Sequence, residues 1–313
     1  MSGYICNLKE QVERRHIRWK NRYGIALAGD LYMEKGLNPE ERRMALVVGA
    51  PYGGVKEQGP AVYANELAAR GFVVLTFDPC YMGESGGEPR HVSSPDLFSE
   101  NISAGVDYLG LLHFVDRERI GAVGICGSGG FALSAAAVDT RIKAVVTASM
   151  YDMSVAARLG LTPEQIQAEK ERLSRKRWED AEQGFPEYLP AFPEEPAEEI
   201  PDGMEGIWRE FFEFYGTRRG HHPNARGNFT STSALSFMNY SLNDHTDEIS
   251  PRPVLFVVGE QAESRFFSDM AYERAREPKR MAVVPDCNHV DLYDDRAKIP
   301  FDEIEGFFRE SLG

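Results

Sequence analysis

Six short apolar runs, rich in Val and bounded by Gly, Pro or polar residues, recur along the chain: ALVVGA (45–50), FVVLTFD (72–78), IGAVGIC (120–126), KAVVTAS (143–149), PVLFVVGE (253–260) and RMAVVPD (280–286). Runs of this length and composition read as strands buried on both faces. Between them, AVYANELAARG (61–71), SENISAGVDYLGLL (99–112), GGFALSAAAVD (129–139) and SDMAYERARE (268–277) space their apolar side chains for one face of a helix. Repeated strand–helix–strand units dictate an α/β architecture, a mostly parallel central sheet flanked by helices. Ahead of it, HIRWK (16–20) and GIALAGDLYM (24–33) predict an antiparallel opening hairpin.

The pattern breaks between 151 and 250. There EQIQAEKERLSRKRWEDAEQ (164–183) reads as a helix, FPEYLPAFPEEPAEEIPDG (185–203) is too rich in Pro to continue one, and IWREFFEFYG (207–216) predicts a second, aromatic helix. The 313 residues therefore divide into a core, 1–150 with 251–313, and a helical cap inserted at 151–250. Loops beyond the carboxyl ends of parallel strands lie over ligand sites, so the insertion is expected to act as a lid, against the plainer reading of a solvated ornament.

Acidic residues outnumber basic ones 49 to 35, and a net charge of −14 argues against nucleic acid and anionic membrane surfaces as partners. The start of the chain is charged, no later apolar run is long enough to span a bilayer, and a cytoplasmic location is the expectation. Four cysteines, Cys6, Cys80, Cys126 and Cys287, are too sparse for a disulfide scaffold and are expected as thiols.

One of those thiols carries the chemistry. RIGAVGICGSGGFALSAAAVD (119–139) runs from strand through a glycine-rich turn into a helix with no spare residue. A nucleophile presented on such a turn needs small flanking residues, and Gly124, Ser128 and Gly129 supply them around Cys126. Ser128 is the rival nucleophile, disfavoured because Phe131 would then fall where helix and strand approach closely. A dinucleotide-binding turn is a weaker reading, since the next strand ends without a suitable acidic residue. At a helix N-terminus the thiol pKa is expected below its free value of about 8.5.

The base is expected just after the last strand, where RMAVVPDCNHVDLYD (280–294) supplies His289. The acid should follow PVLFVVGE; GEQAESRFFSD (259–269) offers Glu260, Glu263 and Asp269, of which Glu263 is preferred, with Glu260 and Asp291 as rivals. Oxyanion donors are expected from the amide of Gly127 and from the Pro51-Tyr52-Gly53-Gly54 loop, where Tyr52 can offer its amide or its phenol and Gly53 its amide. Seven histidines are present, but His221 and His222 lack a third ligand for a metal.

GAPYGGVKEQ, FDPCYMGESGGEPR, RIGAVGICGSGGFALSAA and NHVDLYD, in that order, resemble the dienelactone-hydrolase-like branch of the α/β-hydrolases, specifically its polyketide-transferase-like thiohydrolase members. The resemblance implies an α/β-hydrolase fold with Cys126 matching the cysteine nucleophile of a Gly-x-Cys-x-Gly turn, from which Ser128 departs. The PY of GAPYGG also resembles cocaine-esterase-like hydrolases, in which a tyrosine hydroxyl helps bind the oxyanion, and this favours Tyr52 over Gly53. An Asp after PVLFVVGE is missing, and Ala50 replaces a common His. The expected activity is cleavage of a carboxylic ester, lactone or thioester of a small-molecule acyl substrate through a Cys126 acyl-enzyme, with no metal or organic cofactor. Acyl transfer from the same nucleophile and a non-catalytic, ligand-binding hydrolase fold are the alternatives; a homo-oligomer is compatible with the sequence.

Overall fold

A computed structural model describes residues 3–313. Strands β1 (Val12–Lys20), β2 (Ala26–Glu34), β3 (Arg43–Gly49), β4 (Val73–Phe77), β5 (Val115–Ile125), β6 (Ala144–Ala148), β7 (Val254–Gly259) and β8 (Lys279–Val284) form one sheet in the order β1-β2-β4-β3-β5-β6-β7-β8. β1 pairs antiparallel with β2, and β2 with β4, while every pairing from β4 to β8 is parallel. Along the chain the helices are α1 (Gly59–Ala68), α2 (Pro95–Leu111), α3 (Gly127–Val138), α4 (Met153–Ala156), α5 (Pro163–Gln183), α6 (Gly206–Phe211), α7 (Ala234–Asn239), α8 (Arg265–Arg274), α9 (Asp291–Asp294) and α10 (Phe301–Leu312).

The continuous apolar runs have a direct structural cause. Successive side chains of a strand point to opposite faces, so a sheet covered on both sides needs apolar residues at every position. Leu46, Val48, Leu255 and Val257 pack on one face, in a core that includes residues of α1 and α10. Their neighbours Ala45, Val47, Val254 and Phe256 pack on the other, with residues of α2, α3 and α8. β5 starts earlier than the apolar run suggests, because its first turn of chain, Asp116 to Arg119, lies largely in solvent and carries only charged residues.

Residues 149–253 join β6 to β7 and contain α4 to α7. α5 buries only Leu173. It is held instead by its ends: Thr162 and Gln165 exchange backbone and side-chain hydrogen bonds in a capping box, and Gly184, at φ 81°, closes the helix in the left-handed conformation. α6 continues into a wider π-helical turn at Phe212–Gly216, which buries Phe212, Phe214 and Tyr215. No helix among the described residues is long and apolar enough to cross a membrane.

Candidate active site

The turn between β5 and α3 places Cys126 at φ 53° and ψ −121°, a conformation that side chains other than glycine rarely adopt. It is held there from several directions. Cys126 N donates to Ala148 O at 2.9 Å, while its carbonyl accepts from Gly129 N at 2.8 Å and Tyr151 N at 2.9 Å. The small flanks are obligatory: a Cβ on Gly124 would stand 2.2 Å from Ser128 O, and one on Gly127 would stand 2.7 Å from the Cβ of Tyr52. Ser128 faces inward, its hydroxyl donated to Ala50 O, so it is not presented at the turn as Cys126 is.

Around the sulfur, the backbone amides of Tyr52 and Gly127 and the hydroxyl of Tyr293 are the polar groups that favour its anion, and the Tyr52 loop packs on the turn, where a Cβ on Gly127 would stand 3.3 Å from Tyr52 N. The Tyr52 phenol is elsewhere. It bonds Ser93 Oγ at 2.5 Å and stacks on Phe229 with ring centroids 4.1 Å apart. Of the two donors Tyr52 offers, the amide is therefore the one beside Cys126.

His289 follows β8 and is completely buried. Its Nδ1 bonds the hydroxyl of Ser264, and its Nε2 bonds the hydroxyl of Tyr293 at 2.8 Å. Its carbonyl accepts from Ser149 Oγ at 2.8 Å, and its backbone N–H donates to the carboxylate of Glu210 at 2.9 Å. The rings of Phe211 and Tyr151 cover the imidazole edge-on, at centroid distances of 5.4 and 5.9 Å.

Glu263 is not brought to His289. Its carboxylate is exposed and accepts from Ile207 N at 3.1 Å, at the start of α6. Glu260 accepts from Asp286 N, Asp269 pairs with Arg265, and Asp291 pairs with Lys298 and Arg219. The place a carboxylate was expected to fill is held by Ser264, the residue after Glu263. Its position immediately ahead of α8 is the signal that marks it, since Ser is at home at such a junction. Tyr293 carried no comparable signal, since His289 lies in the turn ahead of α9 and Tyr293 lies within it.

Burial governs the ionisation here and corrects the expectation of a lowered thiol pKa. Removal from water pushes the Cys126 thiol up, against the opposing pull of Tyr293 and the amides of Tyr52 and Gly127. The same desolvation lowers His289 to about 3. At rest the pair is a neutral thiol and a neutral imidazole. The other free cysteines are also raised by burial, Cys80 to about 11 and Cys287 to about 12, with Cys6 shifted the same way. Tyr215 adds a hydroxyl near Cys126 and Tyr293 that is buried without a well-formed hydrogen bond. Among the described residues no group of His, Cys, Asp or Glu is arranged to hold a metal ion.

Residues 46–299 match the alpha/beta hydrolase family. The uncharacterized protein PA2218 of Pseudomonas aeruginosa is 50% identical over 97% of this chain and 82% of its own length. A crystal structure of PA2218 superposes with a TM-score of 0.94 at 48% identity, covering 98% of this chain and 96% of that one. Thiohydrolase aneE of Aspergillus aculeatus is 27% identical over 85% of this chain and 83% of its own length. The structure of DcsB in complex with its substrate analogue shares the fold, with a TM-score of 0.80 at 21% identity over 96% of this chain and 99% of that one.

Proposed function

The chain belongs to the alpha/beta hydrolase family, and from that premise we propose that it cleaves a carboxylic ester, lactone or thioester through an acyl-enzyme on Cys126. The observation that carries this reading is a cysteine held at φ 53° where β5 meets α3, with the Tyr52 backbone packed so close that a Cβ on the next residue, Gly127, would stand 3.3 Å from Tyr52 N. Amides aimed at the reacting atom cost no reorganisation when a carbonyl oxygen beside it becomes negative. In this reading the proton of Cys126 ends on His289, the sulfur attacks the acyl carbon, and Tyr52 N and Gly127 N hold the oxyanion. Ser264 takes the orienting role expected of Glu263: accepting from Nδ1–H, it leaves Nε2 free to act as base. Glu263 serves α6 instead.

Residues 151–250 act as the lid in this reading, with Phe211 over the imidazole and Tyr215 beside the thiol. A site this dry favours a second reading, acyl transfer to an alcohol, amine or thiol acceptor, because Cys126 is only 4% and His289 0% exposed. The names of relatives support both readings, since thiohydrolase aneE is joined by polyketide transferase claH of Penicillium crustosum.

The test is intact-protein mass spectrometry after mixing with p-nitrophenyl acetate and with a panel of acyl thioesters. One acyl adduct on Cys126, missing from Cys126→Ala, is expected. No adduct with any donor supports a non-catalytic binding protein, and an adduct that persists in Cys126→Ala but not in Ser128→Ala moves the nucleophile to Ser128. Adding acceptor alcohols to the acylated protein separates hydrolysis from transfer.

A further inference from the structure

We propose that Tyr293 carries the proton between Cys126 and His289, its phenol bridging sulfur and imidazole so that the base acts on the nucleophile without touching it. The inference rests on the reading of Cys126 and His289 as nucleophile and base. Both imidazole nitrogens have partners, Ser264 Oγ at Nδ1 and Tyr293 OH at Nε2, and neither partner is the thiol. That same Tyr293 hydroxyl lies beside the thiol, near enough to bear on its ionisation.

The bridge is fixed in place. Tyr293 is completely buried, with its ring edge-on to Phe214 at 5.0 Å and to His289 at 5.3 Å. α9, which carries it, is tied down by ion pairs from Arg219 to Asp291 and Asp294. Enclosure of this kind opposes a swing of the phenol that would let sulfur and Nε2 meet.

The step balances without any added reactant. The S–H proton passes to the phenol oxygen while the phenol's own proton passes to Nε2, giving thiolate, phenol and imidazolium. Sulfur then forms the C–S bond, and the carbonyl π pair moves to the oxygen held by Tyr52 N and Gly127 N. When that pair returns, the bond to the leaving group breaks, Nε2–H reprotonates the phenol oxygen, and the phenol proton goes to the leaving atom. A free phenolate is never needed, and burial opposes one by holding the Tyr293 hydroxyl well above its ordinary value. The two transfers are therefore concerted.

Tyr293→Phe keeps the ring and removes the oxygen. Acylation by p-nitrophenyl acetate is followed by rapid release of p-nitrophenolate in mixtures of light and heavy water. The wild-type rate is expected to bow downward with deuterium fraction, as two protons in flight require, and the Phe variant to acylate about 100-fold more slowly with a linear dependence. A linear wild-type dependence, or a Phe variant that acylates at the wild-type rate, overturns the relay. Should the variant fail to fold, the wild-type isotope dependence decides alone. Failure of the underlying reading has a different signature: no adduct on Cys126 in the wild-type protein, or one elsewhere that survives Cys126→Ala.

Discussion

The carboxylate of Glu210, carried by the insertion, accepts the backbone N–H of His289, carried by the core, at 2.9 Å. Burial together with nearby Glu263 pushes its own pKa up. The segment between β6 and β7 thus holds the His289 loop directly. Glu210→Ala should lower kcat for acetyl esters and cost about 1–2 kcal/mol in unfolding free energy, whereas Glu210→Gln, which keeps an acceptor oxygen, should retain much of both. Paired rate and calorimetric measurements check this; an unchanged kcat in Glu210→Ala removes the coupling.

Ser264 holds the imidazole through Nδ1 but brings no negative charge to it. Ser264→Ala should lower kcat by about tenfold or more through loss of orientation. Ser264→Asp should raise the His289 pKa, because an adjacent carboxylate favours the imidazolium. Imidazole nitrogen NMR across a pH series reads the direction, and a His289 signal indifferent to Asp at this position contradicts the assigned contact.

Acid should unfold the protein partly through His289. Its folded-state pKa lies near 3 against an ordinary 6.5, so between those values the unfolded chain binds a proton that the folded chain refuses. Stability from this group is complete above about pH 6.5 and falls by about 1.4 kcal/mol per pH unit on descending toward 3. Asp78 acts oppositely. Raised from 3.8 to about 6 by burial, it favours the fold on the acid side of that window. The comparison of wild type with His289→Gln isolates the histidine: denaturant titrations at several pH values should show a shallower acid loss in the variant, and parallel curves contradict the burial argument.

Gly127→Ala should be far more damaging than Ser128→Ala. The added methyl would stand 2.7 Å from Tyr52 Cβ and displace the loop that brings the second amide to the sulfur. Loss of one such donor costs about 100-fold or more in kcat. Ser128→Ala removes a buried hydrogen bond to Ala50 O, worth about 1 kcal/mol of stability, and leaves the donors in place. Steady-state kinetics on both variants tests the ordering.

Much of this was legible in the chain because the physics was local. A strand covered on both faces needs a continuous apolar run, and a turn as tight as that at Cys126 needs Gly124 and Gly129, where a Cβ would stand 2.2 Å from Ser128 O and 2.6 Å from Met150 Cγ; both leave marks that need no tertiary knowledge. Contacts across the fold leave fainter ones. Glu263 and Ser264 are adjacent, and only the direction of the chain entering α8 decides that the hydroxyl turns to the imidazole while the carboxylate turns to α6. The helix N-terminus predicted a lowered thiol pKa, but the enclosing rings come from chain distant from that turn, and desolvation there outweighs the helix.

The enclosure of Cys126 also determines how the protein meets oxidants. Peroxide and iodoacetamide both react with the thiolate, and a thiol that is 4% exposed with a raised pKa offers them little of it. In the resting protein the half-buried Cys6 should therefore be alkylated before Cys126, as peptide mapping after a short exposure would reveal, and an early label on Cys126 would mean that the site opens unaided. If Cys126 is the nucleophile proposed above, burial that keeps it protonated also stores it in a form resistant to sulfenic acid, so its lifetime under oxidative stress is set by how often its cover opens and not by the chemistry of sulfur.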